Sequence, residues 1–270
     1  MSDLFRFQLL ASFVVGGLAV TLLTLLAEQV HPRTAGIILS LPTNLAVSLF
    51  FIGWTLSPGA VAEAAIGIPA SLGASLIFVA IYVWMAARIR RRTIGTFALT
   101  FVCGLLGWLV IALPLALYII QSIALSLVLY VFLACVAHMW LNREAEDADA
   151  VAPIRYTFLQ RSGRALFAGF LIMMVVYLSK TLGPLWGGVF SVFPAATSSG
   201  LLILHWQRDA EILKKVYRTV PLGSPIFLLY TLMCVLTFPG MGIVLGTILS
   251  YIACFIAVWV YLRFLQRTRS

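Results

Sequence analysis

The sequence predicts an all-α, polytopic membrane protein of about nine transmembrane helices, built as two inverted four-helix repeats joined by a fifth, linking helix. Three observations carry that expectation: the composition, the placement of basic residues, and a set of prolines repeated at one fixed offset. Hydrophobic residues make up 62% of the 270 and charged residues 10%. Mean hydropathy is +1.06. A soluble domain carries about 25% charged residues, so this balance belongs to a chain whose solvent is lipid.

Spans of about 20 apolar residues fall at roughly 7–30, 34–56, 64–87, 94–112, 116–140, 164–181, 185–205, 221–238 and 241–262. The first run is too long for a signal-peptide core, and no small-residue cleavage site follows it before His31 and Pro32. The 42 residues from Leu99 to Trp140 carry no charge. As a single helix they would reach about 63 Å, twice the hydrocarbon thickness, so two spans are expected to turn near Pro114. The one hydrophilic stretch, about Asn142 to Arg164, begins acidic at Glu144, Glu146, Asp147 and Asp149 and ends basic. It reads as a cytoplasmic linker. The expected divisions are thus a first repeat over 1–113, a linking helix and linker over 114–163, and a second repeat over 164–270.

With alternate connections assigned to one side, that side holds 16 of the 18 basic residues, leaving Arg6 and Lys180 for the other. Basic residues favour cytoplasmic loops, which places the N-terminus outside and the C-terminus in the cytoplasm of a bacterial inner membrane. The net charge of +9 is therefore topological. A nucleic-acid partner would need a soluble basic face interleaved with aromatics, and the sequence has none. The expected partners are membrane lipids and a small anionic or amphiphilic solute; the Arg88 to Arg92 cluster reads as a retention signal, with binding of anionic headgroups as the alternative, and a homo-oligomer is compatible with the sequence.

Pro32, Pro42 and Pro69 are followed 152 positions later by Pro184, Pro194 and Pro221, and Gly36 with Gly188 and Trp54 with Trp206 keep that offset. Five crossings separate the starts of the two copies. Five is odd, so the copies run through the membrane in opposite senses, an arrangement typical of secondary transporters with a central site. Pro42 lies roughly 13 Å into the second span from one face and Pro194 as far into the seventh from the other, so both approach the midplane. Proline removes a backbone donor and clashes with the preceding turn. If the helices break there, each proline enters the first turn of a half-helix whose exposed N–H groups favour an anion. The expected substrate contacts are Pro42, Thr43 and Asn44 in the first copy and Pro194, Thr197, Ser198 and Ser199 in the second. The alternative is that both prolines kink their helices for packing, with Ser and Thr bonding across helices.

Charges inside the spans are few. Glu28 and Lys180 hold equivalent places in the two copies with opposite sign, and Glu63 lies near the outer end of the third span. Each either snorkels to its interface or serves as a gate or coupling charge. Inversion puts Glu28 and Lys180 at opposite faces, roughly 18 Å apart, so they are not expected to pair. The segment from His205 to Arg218 reads as an amphipathic helix along the headgroups or as an electropositive vestibule.

The run Ala27-Glu28, then Ala35-Gly36-Ile37-Ile38-Leu39-Ser40-Leu41-Pro42-Thr43, followed by an apolar span ending at Arg88-Ile89-Arg90, resembles the GlpM-like family of small bacterial inner-membrane proteins. The similarity covers about 8–112 and, more weakly, 164–262. It implies four spans per copy, with an Ala-Gly and then a Pro-Thr on the second helix. Members carry a lysine eight residues before the glycine, as Lys180 stands before Gly188. The first copy has Glu28 there, and the second has Phe193-Pro194-Ala195 without the threonine. The family's loose links are to glycerol metabolism and exopolysaccharide production.

Enzyme signatures are absent. His31, His138 and His205 lie on separate elements, the four cysteines form no Cys-x-x-Cys, and there is no phosphate-binding loop. No catalytic residue, metal or cofactor is expected. The function expected is transport of a small anionic or amphiphilic solute by alternating access. The alternatives are a polyprenyl- or phospholipid-phosphate translocase and a non-catalytic membrane scaffold for envelope-polymer assembly.

Overall fold

The computed structural model describes residues 2–29, 41–89, 93–117, 122–142, 157–207 and 210–267. Among them every regular element is an α-helix: α1 Asp3–Gln29, α2 Thr43–Thr55, α3 Ala60–Arg88, α4 Ile94–Leu117, α5 Ile123–Asn142, α6 Phe158–Thr181, α7 Pro184–Ser191, α8 Ala195–Gln207, α9 Ala210–Tyr217, α10 Val220–Gly223 and α11 Pro225–Arg267. Six segments are long and apolar enough to cross a membrane: Asp3–Leu26, Ala60–Arg88, Ile94–Leu117, Ile123–Asn142, Phe158–Thr181 and Ala210–Tyr261. The last is not one rod. Gly242 adopts φ 75°, which L side chains avoid, and the chain reverses there. Tyr230 meets Tyr251 edge to face with ring centroids 5.2 Å apart, Cys234 Sγ lies 3.4 Å from Ser250 Oγ, and Cys254 Sγ 3.7 Å from the Ile226 carbonyl. The arms 225–241 and 243–267 thus form an antiparallel hairpin.

Helix α1 shows how lipid selects a face. Leu4, Phe7, Leu10, Val14, Leu18, Leu22 and Leu26 recur at three- and four-residue spacing and are all exposed. The opposite stripe, Phe5, Gln8, Ser12, Gly16, Val20 and Thr24, is buried and carries the polar and small residues. In hydrocarbon, association gains from close packing and interhelical hydrogen bonds rather than from hiding apolar surface, so small and polar side chains face inward. α3 is the exception: it is buried nearly all round, as a central helix must be.

α1 packs against α6, its counterpart in the second copy, through a close glycine crossing. A β-carbon at Gly17 would lie 3.0 Å from the Ala165 carbonyl oxygen, and one at Gly169 would lie 2.5 Å from that of Phe13. Position 13 faces 169 and position 17 faces 165, so the helices run antiparallel. Adding 152 to 13 gives 165 and to 17 gives 169: the contact is its own image when the copies are exchanged. The bounds of α2 and α8 also differ by 152 at both ends.

The third helix is where the copies diverge. α3 runs unbroken through Pro69, whose disturbance of the ladder is answered from α5: the Ala70 amide donates to Ser126 Oγ at 3.0 Å. The equivalent stretch of the second copy is divided into α9, α10 and the first arm of α11. The reason lies four residues on, where Gly73 in the first copy is matched by Pro225 in the second. Two prolines one turn apart remove two donors and crowd two carbonyls, and the helix does not survive them.

Two expectations are corrected, the turn near Pro114 and the extent of the hydrophilic linker. Pro114 lies inside α4, and the connection to α5 comes after Leu117, because a single proline near the end of a membrane helix leaves few carbonyls to re-satisfy. The boundary after residue 113 consequently falls within α4. The hydrophilic linker is shorter than 142–164, since α6 begins at Phe158 behind a capping box in which Thr157 and Gln160 exchange side-chain and backbone hydrogen bonds. The boundary at 163/164 therefore lies inside α6.

The glycine crossing gives a direct test. Gly169→Ala should destabilise the protein by about 1–3 kcal/mol through overpacking against the Phe13 carbonyl, whereas Gly163→Ala, with open space around it, should be neutral or stabilising by about 0.5–1 kcal/mol. Unfolding midpoints of the purified protein in detergent compare the two.

Candidate functional site: a cavity at the two proline breaks

Of the second proline pair, Pro194 marks a real interruption. α7 ends at Ser191, Val192 and Phe193 leave the helix, and α8 begins at Ala195 behind Pro194. Phe193 N–H turns back to the Phe190 carbonyl at 3.1 Å, leaving the Val189 carbonyl without the donor an α-helix would supply. α3 supplies it: Ser71 Oγ donates to the Val189 carbonyl, and one turn further Ser75 Oγ donates to that of Val192 at 2.7 Å. Ser75 Oγ also accepts from Trp108 Nε1 at 3.2 Å. Around the break, Phe193 sits among Trp108, Phe78 and Phe167, with centroids 5.0, 6.4 and 6.5 Å away. Polar bonds satisfy the opened backbone, and the ring cluster fixes its position.

In the first copy, Pro42 stands at the N-cap of α2, and no side chain caps that terminus. Both prolines thus occupy the position before the first helical residue rather than a place in the first turn. A Pro ring there still fixes the entry of the chain, while the next amides lack intrahelical partners.

Between the two helix starts lies a cavity of about 550 Å³, within the size range of small-molecule sites. Thr43 and Asn44 line it from α2, Pro194 and Thr197 from the α7–α8 break, Val20, Leu23 and Thr24 from α1, and Leu72, Ser75, Leu76 and Val79 from α3. Val216, Thr219, Val220, Gly223 and Ser224 of the α9–α10 segment close it from another side, and Arg164 of α6 is the one charged residue among the described lining groups. Asn44 Oδ1 is buried and makes no hydrogen bond within the protein, at a cost of about 1–3 kcal/mol.

The other expected site residues are placed differently. Pro42 is buried beside the cavity without lining it. Ser198 is fully buried away from it, with an unsatisfied Oγ, and Ser199 is half-buried and also off the wall. Lys180 is exposed in the last turn of α6 and Glu63 exposed in the first turn of α3, so neither reaches the cavity. Glu28 falls near the end of α1, with its side chain outside the described part of the structure. α9 folds onto α3 and α8 with Leu213 and Tyr217 buried, and His205 Nδ1 lies 3.1 Å from the Tyr82 hydroxyl. The segment expected along the headgroups is therefore tied to the wall of the cavity. Among the described residues no group of three or more His, Cys, Asp or Glu is arranged to hold a metal.

Sequence reasoning missed Arg164, Ser71 and Ser75. Arg164 was counted with the basic residues of a loop. The Thr157-x-x-Gln160 signature starts the helix at Phe158, which sets Arg164 about 9 Å along α6. The two serines are one turn apart on an otherwise apolar span, which is the pattern of interhelical hydrogen bonding.

Ser75→Ala should cost about 1–3 kcal/mol by leaving the Val192 carbonyl and Trp108 Nε1 without their partner, while Thr181→Ala, at an exposed hydroxyl, should change stability by less than about 0.5 kcal/mol. Denaturant unfolding in detergent measures the difference. Compared with protein-family models, curated proteins and solved structures, the chain matches none.

Proposed function

We propose that the chain is a nine-span bacterial inner-membrane transporter, related to the GlpM-like proteins by duplication, that moves a small anionic or amphiphilic solute by alternating access. The observation that carries this reading is the cavity where the two proline-started helices meet. Two helix N-termini and one arginine favour negative charge at one place, and a site at the junction of two inverted repeats is where such transporters bind substrate. The antiparallel, self-imaging contact of α1 with α6 supports inversion of the copies, since equivalent helices that both cross the membrane antiparallel must enter it in opposite senses. A scaffold for envelope-polymer assembly would need no space at that level.

The two copies also differ in the way alternating access requires. In the first, a β-carbon on Gly67 would lie 2.8 Å from Val189 and 3.0 Å from Leu185, and Gly188 packs against the Ala64 backbone. Those contacts seal α3 against α7. The positions offset by 152 from Ala64 and Gly67 are Val216 and Thr219, and both line the cavity. With the charge-based topology, the packed α3–α7 side is external, and the opposite state of the cycle separates those helices. The exchange is between two packings of the same helices, so a modest bias in their balance is enough to stop it.

Solid-supported-membrane currents on reconstituted protein, screened over carboxylates and phosphates, test transport. Gly188→Leu, which cannot re-form the seal, and the double variant Pro42→Ala, Pro194→Ala should each lower the current by about tenfold or more, the effect of a bias of about 1.4 kcal/mol. Folded variants that transport at the wild-type rate would remove the broken-helix mechanism.

A further inference from the structure

The wall of the cavity is divided by chemistry. Leu72, Leu76 and Val79 recur along one face of α3 at helical spacing and present about 10 Å of apolar surface, continued by Phe193. The charge comes from a single guanidinium, Arg164, and the nearest sequence-linked polar pair is Thr43 and Asn44 at the start of α2. Arg164 has a polar contact of its own in the protein. A guanidinium carries five N–H donors in a fixed fork, so such a contact orients it without exhausting it. A small hydrophilic anion would use the cationic end and leave the α3 face without a partner. A neutral apolar ligand would present no acceptor to the remaining N–H donors of the guanidinium.

We propose that the cavity recognises a single-headed amphiphilic anion, its carboxylate or phosphate held by Arg164 and its apolar body laid along Leu72, Leu76 and Val79. This rests on the transport reading for its physiological meaning and on the cavity alone for its chemistry. The head can belong to a free amphiphile or to a membrane lipid, since both present the same group to the arginine. Apolar contact supplies the affinity that grows with chain length, and the arginine supplies selection for charge.

Titration calorimetry on the full chain in nanodiscs, with empty discs subtracted, tests it using acetate through octanoate, inorganic phosphate, octyl phosphate and octanol. Affinity should rise by up to about fourfold for each methylene that becomes buried, until the chain fills the space. Arg164→Gln should weaken octanoate and octyl phosphate by about tenfold or more and leave octanol unchanged, with Arg164→Lys retaining part of the binding. Acetate and inorganic phosphate binding as tightly as their octyl counterparts would overturn the proposal, as would an equal loss for octanol in Arg164→Gln. Discs containing phosphatidic acid identify a lipid source if they abolish octyl phosphate binding in wild type, and a free amphiphile if they do not; either result supports the shared head chemistry. The two readings fail separately: chain-length-dependent binding with no current for any compound sinks transport and leaves the ligand class standing, and currents with acetate or phosphate that gain nothing from a longer chain do the reverse.

Discussion

A buried backbone donor or acceptor must find its partner within the protein, and this chain opens its backbone in the middle of its helical packing. The interruption at Phe193 and Pro194 releases carbonyls among buried residues. Its persistence depends on hydroxyls delivered by another helix, Ser71 and Ser75 of α3, at the right height and one turn apart. That requirement explains why α3 is central and why α7 lies against it through glycines. A helix carrying those serines cannot face lipid, and a broken helix cannot stand away from them. Packing of the central layer, the position of the break and the existence of the cavity are therefore consequences of a single hydrogen-bonding demand.

The two segments related by the 152-residue offset meet this demand unevenly. Both place a proline before a thirteen-residue helix, α2 and α8. They part at the next helix, where one copy carries proline followed by glycine a turn later and the other carries two prolines. The first outcome is a kinked but continuous rod whose displaced amide is taken by Ser126. The second is a pair of short helices folded under the cavity, with Ser224 bonded to Tyr130 of α5 at 2.7 Å. A sequence feature shared at the 152-residue offset has become an asymmetric wall of the cavity.

How much of this was legible follows from which signals are local. The apolar runs and the proline offset are properties of the chain itself, so the helices and the positions of Pro42, Thr43, Asn44, Pro194 and Thr197 could be anticipated. The role of Arg164 could not be read from charge counting, because a basic residue just after a hydrophilic stretch looks like any loop charge until the Thr157–Gln160 cap fixes where the helix starts. Ser71 and Ser75 were invisible for a different reason: their partners are carbonyls more than a hundred residues away, and backbone atoms leave no signature in sequence. Pro114 misled because proline marks a constraint on geometry and not always an end; near the terminus of α4 the constraint is met by continuing for one more turn. Lys180 and Glu63 stand apart from the cavity, exposed as side chains that reach an interface are.

The antiparallel crossing of α1 and α6 has one more implication. A surface that maps onto itself when two copies are exchanged makes the same demand on both partners, so a residue suited to one side is automatically suited to the other. Gly17 and Gly169 are in that sense one position written twice, and the carbonyls of Phe13 and Ala165 are one acceptor written twice. A change of side-chain size at either glycine therefore acts on one and the same crossing.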